Sequence, residues 1–372
     1  MDRISREIKD FGERVKIDLK INLIDKKMDK NSLIKDFNIL IHNAYLGTDK
    51  SGIFKARQYS DAIKILQNYP EQYITSLSSI EEWFKKSGKK NPKSIIEKIG
   101  DFQKNGYITQ AKNALDNPQV RAIMELTRIA NIGQAKAKEL FMKHNIVTID
   151  DLRAGVAKNA GIINAKQHIG LKFHDDLCLR IPHSEMLEYD KLLQNVCKTI
   201  SPDLQMSING SYRRKCQDSG DIDVLVTGPK GKNNELRKLL ISSLTKKGII
   251  VETLASGNKK FMGISKLPSS KYHRHIDIID TDIDEYPFAQ LYFTGSGGFN
   301  ADMRAVALKR GYSLNEYCLS DKKTKIPVSE GVISERIGKS TIVCEEDIFK
   351  FLEMDYVLPH ERNKTTLSKI NK

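Results

Sequence analysis

At Pro182 the hydrophobic pattern of this chain changes period, and few folds accommodate both halves. From Asn31 to about Leu115 the apolar residues recur at helical spacing. Leu33, Ile34, Phe37 and Ile41 mark one face, and Ile95, Ile96, Ile99 and Phe102 mark another. A second helical block runs from Asn117 to about Leu179, punctuated by Ile132-Gly133, Gly161 and Gly170. Beyond Pro182 come short β-rich runs, Val224-Leu225-Val226, Ile249-Ile250-Val251 and His275-Ile276-Asp277-Ile278-Ile279. A helical stretch through Leu236, Leu239, Leu240 and Leu244 separates them. The mixture predicts an α/β or α+β region that follows the all-helical ones. From Tyr286 onward turn signals alternate with helices over 302–310 and 345–352, and the charged tail after Pro359 reads as frayed. Ile17, Leu19, Ile21 and Leu23 alternate like a strand, and residues 1–30 are given no role.

A length of 372 residues suits two or three domains. A formal charge of +14, with lysines spread along the whole chain, favours a polyanionic partner, nucleic acid first. The five cysteines form no C-x-x-C pair and no disulfide framework, so a reducing compartment is expected. No apolar run approaches the roughly 18–20 residues of a membrane span. A soluble intracellular protein, nuclear or cytoplasmic and monomeric, follows as the expectation.

The sharpest local signal is Gly210-Ser211-Tyr212-Arg213-Arg214 followed by Ser219-Gly220-Asp221-Ile222-Asp223-Val224-Leu225-Val226. In a strand, residues two apart share a side, so Asp221 and Asp223 project together while Ile222 and Val224 enter the core. Two close carboxylates repel unless a cation offsets them, and hard oxygen ligands suit magnesium or manganese. The small residues let backbone N–H groups approach phosphate oxygens, and serine and arginine add donors for a triphosphate. Asp277, between Ile276 and Ile278, is placed to complete the site from a neighbouring strand. Two metal ions would then clamp the attacking and leaving oxygens of an in-line displacement, with Mn2+ able to replace Mg2+.

Other signals are weaker. Asp280, Asp282 and Asp284 imitate a calcium loop, but Glu285 stands where glycine is needed, so they read as a solvated turn. Gly295-Ser296-Gly297-Gly298 fails the dinucleotide fingerprint at Asn300. His273 and His275 lack a partnering pair for zinc and read as basic surface near phosphates.

Together these residues resemble the family X DNA polymerases, most of all their compact beta-type members, over about Asn31 to Arg362. The best stretches are Gly210 to Val226, Lys260-Phe261-Met262-Gly263, Tyr292-Phe293-Thr294-Gly295-Ser296 and Asn300-Ala301-Asp302-Met303-Arg304. The resemblance implies an α+β fold, a nucleotidyltransferase palm with a mixed sheet preceded by all-helical regions, holding Asp221, Asp223 and Asp277 on two metal ions. By position, Arg180, Ser211, Arg214, Ser219 and Gly220 look like triphosphate contacts. Tyr292 and Phe293 match the pair that crowds the sugar C2′ side of the incoming dNTP, and Gly295 is a further dNTP-binding position. Asn300 matches a residue reading the minor-groove side of the new pair, and Arg304 one reading the template. Lys260 also matches a DNA contact. Gly297 departs from the compact members, which carry an acid there. Tyr292-Phe293 favours templated synthesis, because terminal-transferase-like members carry Gly-Trp.

Ile129-Ala130-Asn131-Ile132-Gly133 resembles a helix-hairpin-helix turn, with Asn131 and Gly133 receiving a DNA phosphate and carbonyls able to hold a monovalent cation. Asparagine tolerates positive φ best among non-glycine residues. A second such turn, Gly88-Lys89-Lys90-Asn91-Pro92, has lost its Gly-x-Gly spacing. Lys98 matches a Schiff-base lysine of a 5′-deoxyribose phosphate lyase, with Lys55 and Tyr59 as phosphate and orienting residues, although Ser94 replaces a phosphate-binding lysine. The implied domains are an N-terminal extension (1–30), a lyase-type domain (31–115), a helix-hairpin-helix region (116–181), the palm (182–284), a nascent-base-pair region (285–362) and a tail (363–372). The expected function is templated, short-gap-filling repair synthesis on gapped or nicked DNA. A template-independent transferase and an inactive DNA-binding scaffold are the competing readings.

Overall fold

The computed structural model describes residues 27–47, 50–67, 69, 71–87 and 92–363. The strand-like alternation at 17–23 and nearly all of the degenerate turn at 88–92 lie outside them. The chain divides into two compact units, 1–128 with 132–162 and 129–131 with 163–372.

In the first unit, helices α1 (Lys30–Ala44), α2 (Lys50–Gln67), α3 (Leu77–Lys86), α4 (Lys93–Asn105) and α5 (Thr109–Ala114) enclose one core. Leu33, Phe37, Leu40, Ile80, Phe84, Ile95, Ile99 and Phe102 are buried in it, as their helical spacing predicts. α6 (Pro118–Leu126), α7 (Gln134–His144) and α8 (Ile149–Lys158) follow. The helix starts are locally encoded: Asp29 accepts the Ser32 N–H at 2.8 Å, and Asn117 caps a helix that opens with Pro118. This region is not purely helical. Met28–Asp29 pairs antiparallel with Tyr73–Ile74, a ladder too short to leave a period in the sequence.

The second unit carries α9 (Ala165–Leu177) and α10 (His183–Ile200), then the sheet strands β1 (Gln205–Ile208), β2 (Ile222–Thr227), β3 (Ile250–Ser256), β4 (Lys260–Ser265) and β5 (Arg274–Asp280). The strands lie in the order β1-β2-β5-β4-β3, with β2 and β5 parallel and the other pairs antiparallel. The α+β mixed sheet is therefore present as expected. Ile222, Val224 and Val226 share a buried face with Ile276 and Ile278, and Tyr189, Leu193, Leu236, Leu240 and Leu244 belong to the same core. The last three come from α12 (Asn233–Lys246). Beyond the sheet, α13 (Tyr286–Thr294), α14 (Gly297–Lys309), the hairpin of β6 (Tyr312–Leu314) with β7 (Leu319–Asp321), α15 (Glu330–Ile337) and α16 (Glu345–Phe351) share a separate core around Phe299, Phe349 and Phe351.

Two expectations are corrected here. Asp280 is not in a solvated turn: it ends β5, buried, in an ion pair with the buried Arg237 of α12. The segment after Pro359 is not frayed as far as residue 363. Arg362 is fully buried, donating from Nε to the Val357 carbonyl at 3.0 Å and from Nη1 to Glu345 Oε1 at 2.9 Å. Among the described residues no helix is long and apolar enough to cross a membrane.

Candidate functional site

Strand register builds the centre of the site. In the parallel β2/β5 pair, Asp223 stands opposite Asp277, with the flanking Ile222 opposite Ile276. Both acids leave the face opposite the apolar core, and neighbouring strands are about 4.8 Å apart. Asp221 is exposed just before β2, on the side that alternation assigns to Asp223. Asp277 is nearly buried, and its Oδ1 has no hydrogen-bond partner.

Burial pushes the Asp223 carboxyl up to about 7, and the negative charges of Asp221 and Asp277 push the same way, against Lys260 and Arg214. Its folded value therefore exceeds the ordinary 3.8, and the native state holds the extra proton between the two values. Asp223's contribution to stability is full below that interval and lost as pH rises through about 7. Melting in a chelator at about pH 5 and about pH 8 should show this decline, and Asp223→Asn should flatten it.

Lys260 provides the local countercharge. Its strand partner is Ile279, two residues from Asp277 on the same face, and this diagonal brings Nζ to 2.5 Å from Asp277 Oδ2. His275 Nδ1 lies 3.6 Å from Asp277 Oδ1. Among the described residues no three His, Cys, Asp or Glu side chains stand grouped as around a metal ion. The donor set nevertheless fits hard divalent cations. It offers carboxylate oxygens at matched register, one of them buried and unpartnered, with charges that repel when ionised.

A short helix, α11 (Gly210–Arg213), lies beside the acids. Gly210 has φ 59°, and a Cβ there would stand 2.6 Å from Asp223 Oδ2, so no side chain fits without displacing the acid. Ser211 Oγ donates to Ser219 Oγ at 2.9 Å. Arg214 donates from Nη1 to the Thr294 carbonyl at 2.6 Å and from Nε to Asn363 Oδ1 at 2.7 Å. Arg180 is held by Asp218, with its Nη1 against Gly220. Arg180, Ser211, Ser219 and Gly220 thus gather beside the acids' end of the sheet, while Arg214 reaches toward α13.

On α13, the Tyr292 and Phe293 rings meet edge to face at 5.1 Å. Asn300 Nδ2 donates to the Tyr292 carbonyl at 2.7 Å, and the Arg304 guanidinium lies 5.2 Å from the Tyr292 ring centre. Gly295, at φ 68°, links α13 to the Ser296 cap of α14.

The remaining candidates fall elsewhere. Asn131 has φ 67°, donates to the Lys166 carbonyl at 3.2 Å and accepts at its own carbonyl from Gln167 at 3.2 Å. Gly133 caps α7, whose first N–H groups receive no side-chain cap. In the first unit, Lys55 and Tyr59 line a cavity of about 190 Å³ with Asn43, Ser51 and Gln110. Lys98 Nζ lies 5.8 Å from the Tyr59 ring centre.

Sequence reasoning missed several residues. Glu345, buried, joins Arg213 and Arg362 in one network, with Arg213 Nη1 also donating to Thr294 Oγ1 at 2.7 Å. His273 is not free basic surface, since its Nδ1 lies 2.6 Å from Asp176 Oδ2. Buried Asp302, held up at about 7 by burial, was legible only as one polar position in an apolar helix stripe. All five cysteines are free.

Comparison with known proteins assigns these pieces. Residues 180–282 match the DNA polymerase beta palm, 289–363 the DNA polymerase beta thumb, and 124–178 the fingers domain of DNA polymerase lambda. The chain belongs to the family X DNA polymerases. This family X member is 30% identical to DNA polymerase lambda of Rattus norvegicus over 83% of its own length and 52% of the relative. It is 26% identical to DNA polymerase lambda of Arabidopsis thaliana, over 91% of its length and 63% of the relative. A DNA nucleotidylexotransferase of Gallus gallus is 25% identical over 73% of this chain and 56% of its own. The family X chain thus spans little more than half the length of these relatives.

Proposed function

We propose that this chain is a templated DNA polymerase that fills short gaps during repair, transferring a nucleotidyl group from a dNTP to a primer 3′-hydroxyl. The register of Asp223 opposite Asp277, with Asp221 at the strand entrance, carries the reading. Mutually repelling acids beside phosphate-type donors have no use in a scaffold that only grips DNA.

Asp221, Asp223 and Asp277 would hold two Mg2+ ions, or Mn2+ in their place. When bound, these supply a lowered pKa at the 3′-hydroxyl and neutralisation of the leaving pyrophosphate. The chain's own groups do the rest. Arg180, Ser211, Arg214, Ser219 and the Gly220 backbone bind and orient the triphosphate. Tyr292 and Phe293 crowd the sugar, Gly295 lets the backbone pass close, and Asn300 and Arg304 face the new base pair and template. Asn131, Gly133 and Lys260 meet DNA phosphates, and carbonyls of the Asn131 turn would hold a monovalent cation. The partners are gapped or nicked DNA and dNTPs, met by a monomer in a reducing compartment.

Magnesium-dependent extension of a primer across a short gap, with single dNTPs and a heteropolymeric template, tests the proposal. The preferred dNTP must follow the template base. The 25% identity to a DNA nucleotidylexotransferase keeps a template-independent transferase as the second reading, and an unchanged preference would select it.

A second activity belongs to the first unit. Lys98 Nζ attacks C1′ of the ring-opened 5′-deoxyribose phosphate, water leaves as the Schiff base forms, and β-elimination then releases the 5′-phosphate end. The position of Lys98 beside Tyr59, which lines the cavity with Lys55, supports this. Lys98→Ala should abolish borohydride trapping of the substrate and leave gap filling at the wild-type rate. Undiminished trapping would move the nucleophile to another lysine.

A further inference from the structure

Arg180 and Asp218 are brought together by backbone pairing. Pro182 lies opposite Asp218, and Ile181 opposite Ser219, in a two-residue ladder that starts just after Arg180. The guanidinium donates to a single carboxylate oxygen, Asp218 Oδ1, from Nε at 3.0 Å and from Nη2 at 2.8 Å. Nη2 also reaches the Asp218 carbonyl at 3.3 Å. Nη1 rests over Gly220, where a Cβ would approach it to 2.9 Å. The pair thus sits at the rim of the Ser211/Ser219/Gly220 cradle, and a carboxylate occupies donors that an anion entering the cradle would use.

How firmly it does so follows from exposure. The two side chains are 58% and 49% exposed, and ion pairs in that setting are weak and screened by salt. A triphosphate brings several charges and more acceptor oxygens than one carboxylate, so it can win the guanidinium. Once displaced, Asp218 remains beside the bound anion and repels it.

We propose that Asp218 is a resident counter-ion of Arg180 that an incoming triphosphate must displace, so that this carboxylate sets how tightly the site takes a nucleotide. This rests on the reading of Arg180 as a triphosphate contact. Asp218 is a specificity-determining residue in this scheme and touches no reacting atom. It weakens binding in proportion to ligand charge, most for a triphosphate.

The test is calorimetric binding of a dNTP and of its di- and monophosphate, in Mg2+ without primer, together with steady-state gap filling. Asp218→Asn should bind the dNTP about three- to ten-fold more tightly and lower its KM alike, with kcat unchanged. The gain should shrink from tri- to monophosphate and with rising salt. Asp218→Glu should resemble the parent, and Asp218→Asn should gain nothing in an Arg180→Ala background. Asp218→Ser guards against a folding defect peculiar to the amide. If Arg180→Ala weakens binding while Asp218→Asn and Asp218→Ser leave it unchanged or weaker, the counter-ion role is overturned and the triphosphate site stands. If Arg180→Ala changes nothing either, the assignment of Arg180 falls with it.

Discussion

Asp277→Asn is expected to lower primer extension by roughly a thousand-fold or more while DNA binding stays at the parental level. The amide keeps the shape of a side chain that is almost fully enclosed, so the sheet is undisturbed. It removes the negative charge at the register position opposite Asp223, where the proposed divalent cation would need it. Lys260 loses its ion partner and remains available to phosphate, so affinity for DNA has no reason to fall. Single-turnover extension and fluorescence anisotropy on the same gapped duplex measure the two quantities. Extension within a few-fold of the parent would discard Asp277 as a metal ligand.

Glu345→Ala should produce the largest loss of stability, about 3–5 kcal/mol, because it strands buried positive charge. Burial opposes ionisation of Glu345, yet hydrogen bonds and charge from Arg213 and Arg362 hold its carboxyl below the ordinary value. Arg362 is enclosed completely among the rings of Phe299, Phe349 and Tyr356, and its remaining side-chain hydrogen bond goes to the Val357 carbonyl. Urea titration followed by fluorescence and circular dichroism would read the effect, with Glu345→Gln falling between the two. Arg213 lies in α11 next to Arg214, so KM for the dNTP should rise as well. A midpoint equal to the parent's would show that the network contributes nothing net.

Much of this was legible because it is local. Period-two alternation fixes the side on which Asp221 and Asp223 emerge, and Asn131-Ile132-Gly133 announces a positive φ that the backbone adopts. What stayed hidden depends on distant pairing. No local pattern says that β2 and β5 are parallel with Asp223 level with Asp277, or that Lys260 lies diagonally across from Asp277. β1 and β4 are short and interrupted by polar residues or glycine, so they leave little period to read. Asp280 mimicked a loop acid because its partner, Arg237, comes from another helix. The tail looked frayed because composition cannot reveal that Glu345 waits for Arg362.

The parallel pairing of β2 with β5 has a consequence for how the molecule is born. The β3–β4 hairpin lies between them in the chain, and a connection of that length closes slowly. Until it closes, Asp223 and Asp277 belong to separate, well-hydrated segments and feel little mutual repulsion. The clash of like charges arises only as β5 docks, when isoleucines and valines on the reverse side are already being drawn out of water. The pairing of these two acids is thus a late arrival on a surface whose other side has secured the outcome.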